Sequence, residues 1–251
     1  MNISQNDYKK AIEVLDKTSK HRENIISIFQ NHVDELKSKK CYLDVGIGDC
    51  VITNFVAKEF ETAYVIEPIW DFCNNFKHPN SKIIHQSIHQ FKTAEKFDFI
   101  MCSHMLYGMT LDEIEMVIIK LMGVLKKDGI LFVALIAPRN SSHQIHLDFN
   151  KAYINSHHIR NIFEKLCIEY EKEEMFNSFE SRNLDDMLSL CNFFLYEDCG
   201  KKADLIDSDA FYNKIIQSII KNEETGMYKI VQEEDLFIIR NEGSVVKNFY
   251  K

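Results

Sequence analysis

The residues best placed to do chemistry fall in three short runs. The first is Asp44-Val45-Gly46-Ile47-Gly48, where two glycines follow an acid at the end of the apolar run Cys41–Val45. Glycine permits a tight turn and lets a ligand approach the backbone closely. A buried strand, this turn and the helical pattern from Val51 onward together make a nucleotide-binding elbow. The second is Glu67, which closes the apolar stretch Ala63–Ile66. It lies about 20 residues beyond the turn, where a carboxylate grips a ribose diol. A third glycine would bring a pyrophosphate close, but Val51 holds that position. The third run is Cys102-Ser103-His104, with Tyr107 just beyond it, at the end of the apolar run Phe97–Met101. An imidazole titrates near roughly pH 6.5, so His104 is either a proton acceptor or a neutral group that shapes a pocket.

Such residues work only if regular elements hold them. Residues 7–37 read as two helices with apolar faces, interrupted at Thr18-Ser19. Strands at 41–46, 63–67, 82–86, 97–102 and 130–136 alternate with helices at 51–60, 70–77 and 111–125. Thr110-Leu111-Asp112-Glu113 is a capping box that opens the last of these helices. Lys126, Lys127 and Gly129 read as its closing cations and cap. This alternation predicts a doubly wound parallel sheet. The polar stretch from Pro138 to Asp148 reads as a lid loop. A helix at 156–166, a strand at 167–176 and helices at 183–198 and 208–221 joined by a charged loop follow. Tyr228–Gln232 and Leu236–Arg240 read as an antiparallel hairpin that turns at Glu233-Glu234-Asp235.

The pattern Asp44-x-Gly46-x-Gly48 resembles motif I of class I S-adenosylmethionine-dependent methyltransferases, with Cys50 where that family usually has a further glycine. Val65-Ile66-Glu67-Pro68, Gln86-Ser87, and Lys96–Ile100 followed by His104-Met105-Leu106-Tyr107 are similar to the histamine N-methyltransferase-like branch. So is the spacing Tyr8…Thr18-Ser19-x-His21, and the resemblance covers roughly residues 8–200. It implies one α/β domain with a doubly wound, Rossmann-like, seven-stranded sheet. Within it, 1–38 would form an N-terminal helical cap, 39–176 the cofactor core, 177–227 a helical insertion and 228–251 a C-terminal hairpin.

It also implies S-adenosyl-L-methionine as cofactor. Gly46 and Gly48 would approach its amino-acid portion, and Glu67 with Pro68 would meet the ribose. Ser87 and Ile88 would flank the adenine, and Trp70 would either cover that ring or pack a helix. Asp44 would orient the glycine turn, and Cys102, Ser103 and His104 would lie beside the methyl group. Around the acceptor it places Tyr8, Lys20, His21, Tyr107, Arg139 and His143. Two departures bear on the acceptor: Lys20 stands where the histamine enzyme has an acid for the amine, and His104 replaces a glutamine. A relative with a different acceptor follows.

Composition narrows the choice. A net charge of −8 argues against a general nucleic-acid surface, which needs clustered cations. The fourth strand lacks the N/D-P-P-Y/W motif for flipped bases and ends in Ser103-His104-Met105-Leu106. No apolar run approaches the roughly 20 residues of a membrane span. The opening MNISQNDYKK has no apolar signal core, which predicts a cytoplasmic chain. A small-molecule partner and a monomer or homodimer are expected. Scattered cysteines without a CxxC pair read as reduced thiols. His143-x-x-His146 and His157-His158 lack a metal-binding context, so no metal is expected. Lys20, His21, Arg22, Arg139, His143 and His146 form a local cationic excess. Either it favours an anionic, phosphorylated or nucleotide-linked acceptor, or it is solvated surface. A small-amine N-methyltransferase and a non-catalytic cofactor-binding protein, the latter suggested by Cys50, are the alternatives.

Overall fold

The computed structural model describes residues 5–199 and 208–242, without the side chains of 5–8, 149, 196–199 and 208–211. Two helices, α1 (Gln5–Thr18) and α2 (His21–Asp34), precede the sheet. The break between them falls at Thr18-Ser19, whose hydroxyls turn back onto the Leu15 carbonyl. Strand β1 (Cys41–Val45), helix α3 (Val51–Ala57), strand β2 (Thr62–Ile66), one-turn helix α4 (Trp70–Cys73) and strand β3 (Ser81–Ile84) follow. Next come β4 (Phe97–Ser103), α5 (Leu111–Val124) and β5 (Leu125–Ile136). These elements match the predicted alternation, with shorter helices at 51 and 70.

Helix α5 starts where its sequence says. The Thr110 side chain takes the Glu113 backbone N–H, and the Glu113 carboxylate takes the Thr110 N–H in return. Its end differs from expectation. The backbone is already extended at Leu125, so Lys126, Lys127 and Gly129 belong to β5 and cap nothing. Lys126 reaches Asp98 of β4, and a Cβ on Gly129 would press on the Asp98 carbonyl at 3.0 Å. Sheet packing, not helix capping, selected those residues.

The C-terminal half holds α6 (Asn140–Phe149), α7 (Ser156–Lys165), β6 (Glu171–Ser181), α8 (Leu184–Cys199), α9 (Ser208–Ser218), β7 (Ile220–Lys221) and β8 (Tyr228–Arg240). The sheet runs β3-β2-β1-β4-β5-β8-β6, with β7 attached to β8. The first five strands in that order are parallel, whereas β8 is antiparallel to both β5 and β6, so the sheet is mixed rather than wholly parallel. Apolar clusters cover both faces, one around Leu43, Ile100 and Ile118 and the other around Phe29, Phe99 and Phe132.

Three further expectations are corrected. The expected lid loop at 138–148 is helix α6, whose Ser142 and Ile145 are buried against β8 and the helices beyond. The expected strand at 167–176 starts at Glu171 and extends to Ser181. The expected hairpin at 228–240 is one continuous strand. Glu233-Glu234-Asp235 lies mid-strand, in register with Ala137-flanking Ile136 and Leu135 of β5 and with Met175 of β6. Charged residues survive there because the fold delivers partners to each. The charged loop expected between α8 and α9 lies outside the described residues. Among the described residues, no helix is long and apolar enough to cross a membrane.

Candidate functional site

A cleft of about 600 Å³ opens at the carboxyl ends of β1, β2 and β4. Its first half is the glycine turn. Gly46 and Gly48 have φ of 79° and 51°, left-handed values that glycine reaches without strain. A Cβ on Gly46 would come within 2.8 Å of the Met105 Cβ, so the turn and the segment after β4 meet with no room for a side chain. Cys50 also takes a left-handed backbone, φ 68°, at the N-terminus of α3. Its thiol points to the Phe72 carbonyl at 3.1 Å, and burial pushes that thiol up to about 12. A cysteine therefore serves where the related motif has glycine.

Glu67 lies at the floor of this half, 4% exposed. Its carboxylate accepts the N–H of Ile69 at 2.8 Å and of Ile47 at 3.2 Å, which ties the end of β2 to the glycine turn. Burial raises the carboxyl, and the two backbone bonds pull the other way. Pro68, Ser87, Ile88 and Ser103 share the lining. Asp44 and Cys102 do not. Asp44 is fully buried behind the turn, accepts the Tyr42 hydroxyl at 3.0 Å, and is pushed by burial up to about 7. Cys102 points into the core. Trp70 is 56% exposed, its ring edge-on to His85, and is not part of the lining.

The second half is assembled from distant segments. His21, the first residue of α2, and His104, just past β4, both direct Nε2 at the Glu234 carboxylate, at 2.8 and 2.9 Å. Glu234 is fully buried and also receives the Gln232 amide at 2.6 Å and the Asn177 amide at 3.4 Å. Burial by itself would raise Glu234, but the two imidazoles hold it well below the usual carboxylate range. Burial lowers His21, and the Glu234 charge and hydrogen bond outweigh it, so His21 stands above its ordinary value. The Tyr107 hydroxyl accepts the Ile136 N–H and meets His104 Nδ1, both at 3.0 Å. His104 itself has φ 52°, a strained backbone for a non-glycine residue, fixed by its N–H on the Ala134 carbonyl. The ligand-type atoms of His21, His104 and Glu234 all lie within 4.8 Å of one another. Each is already engaged in a short hydrogen bond within the cluster.

The outer wall is apolar: Ile12 and Leu15 of α1, Phe179 of β6, and Phe193 and Phe194 of α8. Arg22 also lines the cleft and bridges Asp16 of α1 to Asp49 of the glycine turn, at 2.8 and 2.6 Å. The other expected acceptor residues lie elsewhere. Arg139 pairs with Glu233 and Asp235, beside a smaller cavity on the opposite face of β8. His143 in α6 bonds the Tyr153 hydroxyl, and Lys20 is exposed at the head of α2. The side chain of Tyr8 lies outside the described residues.

Sequence reasoning missed Glu234, Gln232 and the aromatic wall. The signal was the run Gln232–Asp235, four polar residues inside an otherwise strand-like stretch. Within it, Glu233-Glu234-Asp235 reads as a turn, because a buried strand with consecutive acids is stable only when partners from elsewhere meet them.

The residues of the first half suit the cofactor implied by the sequence. The crowded Gly46 turn allows close backbone approach, and Glu67 offers remaining lone pairs at the end of β2. Residues 43–133 match the model of a methyltransferase domain family. The sequence has no match among curated proteins. Among solved structures, a candidate methyltransferase from Bacillus halodurans C-125 is 17% identical, with TM-score 0.61, covering 86% of this chain and 98% of that one. The YcgJ protein of Bacillus subtilis is 12% identical, with TM-score 0.60 and the same coverages of 86% and 98%. A candidate sarcosine dimethylglycine methyltransferase from Galdieria sulphuraria is 13% identical, with TM-score 0.54, covering 89% and 86%. At these identities the likenesses show a shared fold.

Proposed function

We propose that this chain, a class I S-adenosylmethionine-dependent methyltransferase, methylates oxygen or nitrogen of a small, uncharged acceptor. One observation carries the reading: a single cleft runs from the glycine turn and Glu67 to the His21–Glu234–His104 cluster and ends against an apolar wall. Its volume of about 600 Å³ lies inside the roughly 300–1,000 Å³ of small-molecule sites. Helices α1 and α8 wall the far end, which favours a small acceptor over a macromolecule.

When bound, the cofactor supplies an electrophilic methyl group on a sulfonium. The chain's own work is to hold, orient and exclude water. Gly46 and Gly48 admit the amino-acid portion, Glu67 takes the ribose hydroxyls, and Ser87 and Ile88 flank the adenine. Holding an acceptor at near-attack distance can supply several kcal/mol of the barrier, about 7–11 in the best model systems.

The acceptor's charge follows from what the cleft leaves unpaired. Arg139, which would favour an anion, is held by Glu233 and Asp235 away from the cleft. Arg22 is neutralised by Asp16 and Asp49. An ammonium acceptor would need an open carboxylate, and Glu234 already receives four donors. Among the described residues at the acceptor end of the cleft, neither charge is offered an unpaired counter-ion. The test is methyl incorporation from labelled cofactor into a cell extract, separated into dialysable and macromolecular fractions. Label in the dialysable fraction is expected. Label confined to protein or nucleic acid overturns the reading.

A further inference from the structure

His104 is the histidine that its place after β4 recommends, yet the geometry leaves its neighbour in the better position. Both ring nitrogens of His104 are engaged: Nε2 with Glu234 and Nδ1 with Tyr107, whose hydroxyl oxygen already accepts the Ile136 N–H and so offers its proton to the imidazole. His21 uses Nε2 on Glu234, and its ring lines the cleft. With the proton on Nε2, Nδ1 carries a lone pair for a ligand. The same cleft is lined by Phe179, Phe193, Phe194, Ile12, Leu15 and Ile136, an apolar wall suited to a flat ring.

We propose that His21, oriented by Glu234, is the general base of the reaction, and that the acceptor is a phenol-type hydroxyl on a flat apolar body. This rests on the methyltransferase reading and names the substrate class of the same site. The acceptor's O–H proton passes to His21 Nδ1 while an oxygen lone pair forms the new O–CH3 bond. The S–CH3 bond breaks, its electron pair goes to sulfur, and S-adenosylhomocysteine leaves as the neutral thioether. The imidazolium on His21 is balanced by Glu234 until the proton returns to solvent. An imidazole suits an acidic hydroxyl, because base catalysis works best when the donor and acceptor are matched in proton affinity. His21 comes from the N-terminal helices and Glu234 from the last strand, so seating the cap completes the base.

The groups facing His21 set its titration. Glu234 of β8 and Asp16 of α1 hold the proton on, whereas burial and Arg22 of its own helix favour its loss. His104 lies beside it at a ring separation of 5.6 Å. In the full chain, kcat/KM should rise with pH through a value above the ordinary 6.5 of histidine.

The experiment uses the full chain, labelled cofactor, and a panel of para-substituted phenols with matched benzylamines. Phenols should be methylated and benzylamines not. His21→Gln should lower kcat about 10²–10⁴-fold, the usual worth of a base, with calorimetric affinity for S-adenosylhomocysteine unchanged. Glu234 is a positioning residue, so Glu234→Gln should move the pH profile downward. Imidazole titration by NMR supplies a readout without turnover: His21 should titrate above 6.5 in the wild type. It also decides the matter if Glu234→Gln does not fold.

Retained kcat in His21→Gln, a preference for benzylamines, or no methylated phenol overturns the proposal alone. So does activity that chelation abolishes and a divalent cation restores, because the cluster would then be a metal site. Failure to bind S-adenosylhomocysteine at all overturns the methyltransferase reading with it.

Discussion

The two halves of the cleft are built in opposite ways. The half proposed to hold the cofactor is a local object: β1, the glycine turn, α3 and the end of β2 lie within residues 41–67, and consecutive residues supply most of its contacts. The half proposed to hold the acceptor joins His21, His104, Asn177 and Glu234, which span 213 positions between His21 and Glu234. The first half tolerates variation by backbone geometry, as Cys50 shows by adopting the left-handed conformation of the glycine it replaces. The second tolerates little, because each partner leaves another buried polar group exposed to loss. A local site is held by turn chemistry, and a dispersed one by the whole fold.

The largest expected effect breaks the acceptor half. Glu234→Ala would leave two histidines and two amides without their common acceptor. Removing one partner of a buried charged network costs about 3–5 kcal/mol. Urea denaturation should show a loss of that order. A loss under about 1 kcal/mol, the worth of an exposed pair, would contradict the buried network.

Next comes the cofactor half. Glu67→Ala should weaken S-adenosylmethionine binding by about 1.5–3 kcal/mol, the range for hydrogen bonds to a charged group, with smaller harm to the fold. Gly46→Ala should cost about 1–3 kcal/mol of stability through left-handed strain, and should lose cofactor binding because its Cβ meets Met105. Calorimetry showing wild-type affinity in both variants would remove the glycine turn from the site.

The pH dependence separates the halves further. Glu234 is depressed, so its contribution is present above the ordinary 4.5 and lost as pH falls through its folded value. His21 is raised, so its contribution is present below 6.5 and lost as pH rises through its folded value. The stability difference between wild type and Glu234→Gln should therefore be greatest between 4.5 and 6.5. A difference independent of pH would show that charge is not what Glu234 contributes.

The smallest effects test the borders. Cys50→Gly relieves a left-handed residue but removes a buried side chain and frees the unfolded chain, so stability should change by no more than about 1 kcal/mol. Binding of S-adenosylhomocysteine should slow hydrogen exchange in α1 and α2 and leave α6 unchanged, since none of the described side chains of 138–150 lines the cleft. Protection of α6 equal to that of α1 would restore it as a lid.

The sequence by itself determined the alternation of strands and helices, the capping box at Thr110, the break at Thr18-Ser19 and the glycine turn with Glu67 at its side. Each depends on periodicity or on residues within a turn of one another, and such interactions are written consecutively along the chain. Tertiary structure alone decided the rest. Asn140–Phe149 became a helix because β8 and α8 cover its buried face, although its polar residues read as a loop. Lys126 entered a strand, with Lys127 after it, and its ammonium meets Asp98 on the neighbouring one. Glu233, Glu234 and Asp235 continue a strand instead of turning it because successive side chains point to opposite faces. One face brings His21 and His104 to Glu234, and the other brings Arg139 to Glu233 and Asp235. No local pattern announces those partners, since the desolvation cost of a buried acid is offset only by groups that the completed fold brings to it.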